Sequence, residues 1–210
     1  MKESVSMADM ALSGLPALLA AGLPQQPGGG VTITERCGLG IATMQARHGQ
    51  DASLRERIRQ HFLLELPGRP AIVRAGSVSF TGIGPHHWLA LSEGGGHVFS
   101  GSLRALVAPL ASVSDQSGGY VVFRVGGPAI RDTLAKGFPI DLDPRAFKPG
   151  DAATTIVSHI GATIWRCDDG ADGSACFEIA LFRSLSQSFW EWFASSAAEF
   201  GCQWQGAVQQ

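Results

Sequence analysis

The chain has 210 residues, of which 45% are hydrophobic and only 16% are charged, and its formal net charge is −2. A chain of this length can bury a sizeable core, and its scattered lysines and arginines form no basic stripe of the kind that follows a nucleic-acid backbone. The composition therefore argues against nucleic-acid binding. Because soluble domains usually carry about 25% charged residues, the low value predicts that a protein partner covers part of the surface.

Residues 1–30 end in the turn and linker sequence LPQQPGGG, which predicts that they form an N-terminal arm around a short helix. The apolar segment ALSGLPALLAAG contains Pro16 and follows Glu3 and Asp9, which makes it a poor signal peptide. Apolar runs in this chain stay well short of the roughly 20 residues of a membrane helix. We therefore expect a cytoplasmic protein with no membrane association.

The segment after the arm predicts strands followed by a helix. VTITER and GLGIATMQAR alternate or run apolar and β-branched, as strands do. Ser53 and Glu56 have the spacing of a capping box, and apolar residues then recur every four positions, which predicts a helix over 53–64. Further elements are expected as strands near 71–75, 78–83 and 87–92 and as a short helix at Ser102–Ala108 that Pro109 ends.

The apolar run Tyr120–Val125 ends in Gly126-Gly127-Pro128, and an amphipathic segment follows. Loops that cradle a phosphate have the same order of strand, glycine turn and helix. A dinucleotide loop, however, needs G-x-G-x-x-G and free backbone N–H donors, whereas Pro128 removes one donor and the third glycine is missing. We therefore predict a structural turn in which Pro128 starts a helix that continues to about Lys136.

The C-terminal helix is the clearest element. Ser184 and Gln187 have the spacing of a second capping box, and Gly201 is expected to end the helix. Its apolar stripe is formed by Leu185, Phe189, Trp192, Phe193 and Phe200. The remaining strands are expected at Ala111–Ser117, Gly119–Val125, Asp151–His159, Ala162–Cys167 and Ala175–Arg183.

This order of elements occurs nearly twice. It predicts an α+β fold made of two similar halves, each a sheet of antiparallel or mixed strands backed by helices, as in ferredoxin-like units. We expect residues 31–210 to form a single domain, with halves of roughly 31–111 and 112–210.

Motifs that carry chemistry are scarce. The six histidines lack metal-binding spacing, and a G-x-S-x-G nucleophile elbow is missing. Asp168, Asp169 and Asp172 lie in a loop that lacks the order of an EF-hand and is typical of a solvated hairpin tip. Cys167 and Cys176 flank this loop and could face each other across a hairpin, although we favour two reduced thiols in a cytoplasmic protein.

Five residues are candidates for a partner interface. Trp190 lies off the apolar stripe of the C-terminal helix, so it is either an exposed interface anchor or a residue packed under the N-terminal arm. Arg131, Lys136, Arg145 and Arg183 could pair with an acidic partner surface, and the alternative for each is a solvated charge.

A set of short motifs after the arm forms a distinctive arrangement, strongest from about 112 to 201. The motifs are Asp115-Gln116-Ser117, Arg124-Val125-Gly126-Gly127-Pro128, Arg131 with Leu134-Ala135-Lys136-Gly137, Ile140-Asp141-Leu142 with Pro144, Phe147-Lys148-Pro149-Gly150, Arg183-Ser184 and Ser188-Phe189-Trp190. In this arrangement the chain resembles the γ subunit of the bacterial heterotetrameric sarcosine oxidase.

The resemblance implies a fold related to the folate-dependent aminomethyltransferases, such as the T-protein of the glycine cleavage system. It also implies α, β and δ partner subunits, which would hold FAD, FMN, NAD, tetrahydrofolate and zinc. The complex would oxidise sarcosine to glycine, reduce oxygen to hydrogen peroxide, and pass the one-carbon unit to tetrahydrofolate or release it as formaldehyde. The resemblance assigns no catalytic, cofactor-binding or metal-binding residue to this chain.

Aminomethyltransferases place an acidic pair on a strand after a glycine turn. The comparable stretch here, Ile160–Arg166, contains no acid, and Trp165 and Arg166 stand where a carboxylate would be needed. Asp168 and Asp169 come later and should face solvent. This departure predicts a non-catalytic assembly subunit; the alternatives are a stand-alone folate-binding aminomethyltransferase-like protein and an accessory subunit of another flavin amine oxidase.

Overall fold

The structure is a computed structural model that describes residues 29–209. The arm expected over residues 1–30 lies outside the described residues, apart from Gly29 and Gly30.

Eleven strands and four α-helices make up this part of the chain. The strands are β1 (Val31–Cys37), β2 (Gly40–Ala46), β3 (Ile72–Ala75), β4 (Val78–Gly84), β5 (His87–Ser92), β6 (Ala111–Asp115), β7 (Tyr120–Gly126), β8 (Ala152–Val157), β9 (Ile160–Arg166), β10 (Cys176–Phe182) and β11 (Cys202–Gln209). The helices are α1 (Asp51–Phe62), α2 (Val98–Val107), α3 (Ile130–Ala135) and α4 (Ser186–Ala197).

The strands form two sheets. Sheet I has six strands in the order β11-β1-β7-β10-β9-β8, and sheet II has five in the order β3-β4-β5-β2-β6. Neighbouring strands are antiparallel except β1 and β11, which are parallel. This architecture confirms the predicted α+β class.

The two sheets are built from the same unit. The order β2-α1-β3-β4-β5-α2 repeats as β7-α3-β8-β9-β10-α4, and each unit pairs its strands in the same sequence. Each sheet takes its fifth strand from the other half of the chain, because β6 pairs with β2 and β1 pairs with β7. The similar halves are thus confirmed. The division of the domain between residues 111 and 112 stays a prediction, and the strand pairing described above runs across that boundary.

Four layers follow from the alternation of side chains along the strands. In β7, Val121, Phe123 and Val125 face a core shared with α3 and α4, while Val122 belongs to a core between the sheets. On the other side, α1 and α2 cover sheet II over a third core. The helices therefore lie outside, and the two sheets face each other.

Both predicted capping boxes are wrong. α1 begins at Asp51 without a side-chain cap, and Glu56 pairs with Arg59 on the same helix. α4 begins at Ser186 after a 3₁₀ turn, and the Gln187 amide donates to Glu191 instead. In each helix the side chain that was expected to cap the helix start, Glu56 or Gln187, instead pairs with a side chain three or four residues further along the same helix.

Two other boundaries also differ from the prediction. α2 begins at Val98, four residues earlier than expected, although it does end before Pro109. α4 ends at Ala197 rather than at Gly201, and the unpredicted strand β11 follows and pairs with β1. The polar, glycine-containing sequence QWQGAVQQ lacks the alternation of a half-buried strand, so its pairing is a tertiary effect.

The glycine turn packs tightly against the start of β1. Gly127 has φ +113°, and a Cβ built on it would lie 2.5 Å from the Gly30 carbonyl oxygen. The Ala129 amide donates to the same carbonyl at 3.0 Å. Both the backbone angle and the space therefore require glycine at this turn.

We predict that Gly127→Ala lowers the free energy of unfolding by about 1–3 kcal/mol from backbone strain alone. Urea unfolding with an unchanged m value would measure the loss. The matched control is Gly118→Ala, since a Cβ at Gly118 meets nothing within 4 Å. Equal stability of the two variants would contradict this account of the turn.

Candidate functional site

Each of the four cations predicted at the interface contacts a different polar group within this chain. Lys136 donates to the Ser196 carbonyl at 2.6 Å and pairs with Glu199. Arg145 pairs with Asp143 at 2.9 Å and is 91% exposed.

Arg131 and Arg183 are half-buried. The Arg131 guanidinium donates to the Leu142 carbonyl at 3.0 Å. Arg183 lies 3.7 Å from the buried Glu35 carboxylate. Of the four cations, Arg145 has the most freely presented charge, and their role at an interface stays a prediction.

Of the two alternatives for Trp190, the exposed interface anchor is wrong, and the arm that the other alternative needs lies outside the described residues. This side chain is 4% exposed and packs edge-on against Trp204 of β11, with ring centroids 5.9 Å apart. The buried face of α4 includes Trp190 beside Phe189 and Phe193, whereas Trp192, which was assigned to the apolar stripe, is only half-buried. Trp190 is therefore a core residue between α4 and sheet I and not an exposed anchor.

A buried carboxylate lies where the two sheets meet. Glu178 on β10 is fully buried, and its Oε1 accepts from Arg36 at 2.5 Å and from Arg124 Nη2 at 2.7 Å. Its Oε2 accepts from the Trp165 indole at 2.8 Å and from Arg74 at 3.2 Å. Both oxygens thus have two donors. We call these five residues the Glu178 cluster.

The cluster joins the two sheets by ion pairs. Glu178, Arg124, Trp165 and Arg36 belong to sheet I, and Arg74 reaches Glu178 from β3 of sheet II. Arg36 in turn pairs with Glu93, which follows β5 of sheet II. One sheet therefore supplies the buried anion and the other supplies a cation for it.

The charges around Glu178 fix its protonation state. Burial raises the pKa of its carboxyl group, but the attraction of Arg36, Arg124 and Arg74 is larger and lowers that pKa from 4.5 to about 2. A carboxylate that stays ionised and has all its donors in place is poorly suited to exchanging protons near neutral pH. The arrangement is suited to holding the sheets together.

Sequence reasoning missed this cluster. The stretch Ile160–Arg166 has no acid, as predicted, yet Trp165 on it contacts an acid from the neighbouring strand β10. The signal was available as a charged residue inside the apolar run CFEIALF, at a position that alternates with core residues. Asp168 and Asp169 are exposed, as predicted.

Another concave feature is a cleft of about 330 Å³ beside the bulge in β4. Arg55, Arg69 and His86 line it together with prolines and glycines. Asp51 pairs with Arg55 at 2.7 Å and with His86 at 2.8 Å, and Asp151 pairs with Arg69 at 2.7 Å. Each basic group at this cleft therefore already has a carboxylate partner.

Within the described residues, no group of three histidine, cysteine or acidic side chains is placed to hold a metal ion. No helix in the same part of the chain is long and apolar enough to cross a membrane.

Comparison with solved structures defines the fold class. One chain of the heterotetrameric sarcosine oxidase from Corynebacterium sp. U-96 superposes with a TM-score of 0.70 at 24% identity, over 84% of this chain and 88% of that chain. Glycine cleavage system aminomethyltransferase T from Bartonella henselae superposes with a TM-score of 0.59 at 13% identity, over 84% of this chain and 48% of that one. The fold is therefore of the aminomethyltransferase type.

Sequence comparison identifies the family. The model of the sarcosine oxidase, gamma subunit family matches residues 47–199, so the chain belongs to that family and the predicted resemblance is confirmed.

Two curated relatives are similar over part of their length. The sarcosine oxidase subunit gamma of Corynebacterium sp. (strain P-1) is 31% identical over 138 residues, which is 64% of this chain and 65% of that protein. The subunit gamma of Arthrobacter sp. is 33% identical over 84 residues, covering 40% of this chain and 41% of that protein. The matched region thus spans less than two thirds of the relatives' length.

We predict that Glu178→Gln lowers the free energy of unfolding by about 3–5 kcal/mol at neutral pH, because three guanidinium groups lose their shared anion. The folded-state pKa lies below the ordinary value, so the wild-type advantage is present above pH 4.5 and is lost as pH falls towards about 2. Urea unfolding of both proteins across this range would measure it.

The control is Glu56→Gln, since Glu56 forms an exposed pair with Arg59 on α1. Its loss of stability should be far smaller than that of Glu178→Gln, because solvent screens the exposed pair. If both variants lose the same small amount, the Glu178 cluster does not stabilise the fold.

Proposed function

We propose that this chain is a non-catalytic assembly subunit of a heterotetrameric sarcosine oxidase. The observation that carries the proposal is the family match over residues 47–199. The likeness to one chain of a heterotetrameric sarcosine oxidase, which covers 88% of that chain, is consistent with it.

In this proposal the partners are α, β and δ subunits. They would hold FAD, FMN, NAD, tetrahydrofolate and zinc, and the complex would act in the cytoplasm. It would oxidise sarcosine to glycine, with oxygen becoming hydrogen peroxide and the one-carbon unit passing to tetrahydrofolate or leaving as formaldehyde. The role of this chain would be to stabilise that assembly.

The state of Glu178 supports a role outside the chemistry. A general acid or base needs a pKa near the working pH and a position that the substrate can reach. Glu178 is fully buried, its pKa is lowered to about 2, and three arginines and an indole bind its oxygens. The fold of an aminomethyltransferase therefore surrounds an ion cluster in this chain.

We expect the chain, tagged and purified from its own host, to emerge as a yellow complex several times heavier than 22.1 kDa. Three further chains of unequal size should accompany it, and native mass and absorption spectra would measure both properties. A colourless monomer that binds tetrahydrofolate would contradict the proposal and favour a stand-alone folate protein. A different large flavin subunit would favour an accessory role in another amine oxidase.

The predicted interface is best tested at its most exposed cation. Arg145→Glu should weaken association with the partner subunits by about tenfold, because it would place like charge against the acidic partner surface that the proposal assumes. Titration of the purified partner subunits with this chain would measure the change.

Arg59→Glu is the matched control, since Arg59 is also exposed and has two acidic neighbours, as Arg145 does. It should leave the affinity for the partners unchanged. Equal affinities of the two variants would remove Arg145 from the interface.

A further inference from the structure

The hairpin of β9 and β10 brings two cysteines together at its open end. Cys167 directly follows β9 and Cys176 begins β10, and the loop 168–175 connects them. The Cys167 amide donates to the Cys176 carbonyl at 3.0 Å, next to the paired residues Arg166 and Phe177. The two cysteines therefore continue the strand pairing and lie opposite each other.

The two thiols are hydrogen-bond neighbours, and both residues are half-buried, so each residue keeps part of its surface exposed to solvent. Directly opposed residues of antiparallel strands have Cα atoms about 4.5–5.5 Å apart, which lies within the range that a disulfide spans. The backbone therefore does not have to move far for a bond to form.

The surroundings divide the two thiols into different roles. The hydrogen bond from Cys167 lowers the pKa of the Cys176 thiol, and Arg124 and Arg166 act in the same direction, against burial and Glu178. The same hydrogen bond and burial raise the pKa of the Cys167 thiol. One member of the pair is thus favoured as thiolate, and the other stays protonated beside it.

We propose that Cys167 and Cys176 form a peroxide-oxidisable dithiol that closes to an intrachain disulfide at the end of the β9–β10 hairpin. The inference rests on the geometry of the hairpin and is independent of the proposed function. It reverses the preference for two reduced thiols that the sequence suggested.

The reaction balances with a hydroperoxide as the oxidant. The Cys176 thiolate attacks the O–O bond, which breaks to give a sulfenic acid on Cys176 and, after proton uptake, one alcohol or water. The Cys167 sulfur then attacks the sulfenic sulfur, forms the S–S bond and releases water, with its own proton leaving on that water. Two thiols lose two electrons, and the peroxide gains them.

Trypsin makes the test direct, because the chain has no lysine or arginine between Cys167 and Arg183. The full-length chain is exposed to hydrogen peroxide, alkylated, digested without reduction and analysed by mass spectrometry. The peptide 167–183 should lose two hydrogens and take up no alkylating agent. Retention of two free thiols in this peptide while Cys37 oxidises, or a cross-link to another chain, would overturn the proposal.

The other two cysteines are internal controls on separate tryptic peptides. Cys202 is 2% exposed, and burial raises the pKa of its thiol to about 11, so its protection reports that the fold is intact. Burial also raises the pKa of the Cys37 thiol. We expect Cys176 to react faster than Cys37, because a larger fraction of its thiol is ionised at a given pH.

Two variants assign the steps. Cys167→Ser should stop the reaction at the sulfenic acid of Cys176, which dimedone traps. Cys176→Ser should leave Cys167 oxidising no faster than Cys37. Fast oxidation of Cys167 in the Cys176→Ser chain would overturn the assignment of Cys176 as the attacking thiolate.

Discussion

One buried carboxylate is shared by three arginines where the two sheets of this chain face each other. Moving an ionised carboxylate out of water costs several kcal/mol unless charges and hydrogen bonds replace the lost solvation. Glu178 meets that condition with four partners, and Arg74 among them comes from the opposite sheet. The relative placement of the sheets is therefore constrained, because sliding one over the other would break the Glu178–Arg74 and Arg36–Glu93 ion pairs.

The same constraint bears on what the chain does. An aminomethyltransferase-type fold of two facing sheets can surround a binding site, but here the sheet–sheet core contains Trp165, aliphatic side chains and the Glu178 cluster. Electrostatics that hold Glu178 ionised also make it a poor proton carrier. A fold whose central polar group is fully paired is well suited to the rigid support that an assembly subunit provides.

The sequence predicted the repeat of elements well, since hydrophobic alternation and the spacing of apolar residues report directly on the strands and helices. It failed where a second element decides the outcome. Trp190 was assigned to a face away from the core of α4, because the sequence does not reveal that β11 packs against that side of the helix. Both capping boxes failed because local side-chain pairs compete for the same groups.

The Glu178 cluster was out of reach of sequence reasoning for a related reason. Glu178 stands out as a charge in an apolar strand, but Arg36 lies 142 residues away along the chain. Arg74 and Arg124 come from two other strands, each in a different local sequence. Only the strand exchange between the halves and the facing of the sheets bring these residues to one point.

The most direct test of this account is the turnover of the proposed sarcosine oxidase complex with Glu178→Gln in this chain. We would measure sarcosine-dependent oxygen uptake per mole of bound flavin, together with the yield of complex, and would measure Arg124→Gln in parallel as a milder change to the same cluster. The account predicts less complex with unchanged turnover per flavin for both variants. Normal assembly with a large fall in turnover per flavin would contradict it and give Glu178 a part in the chemistry.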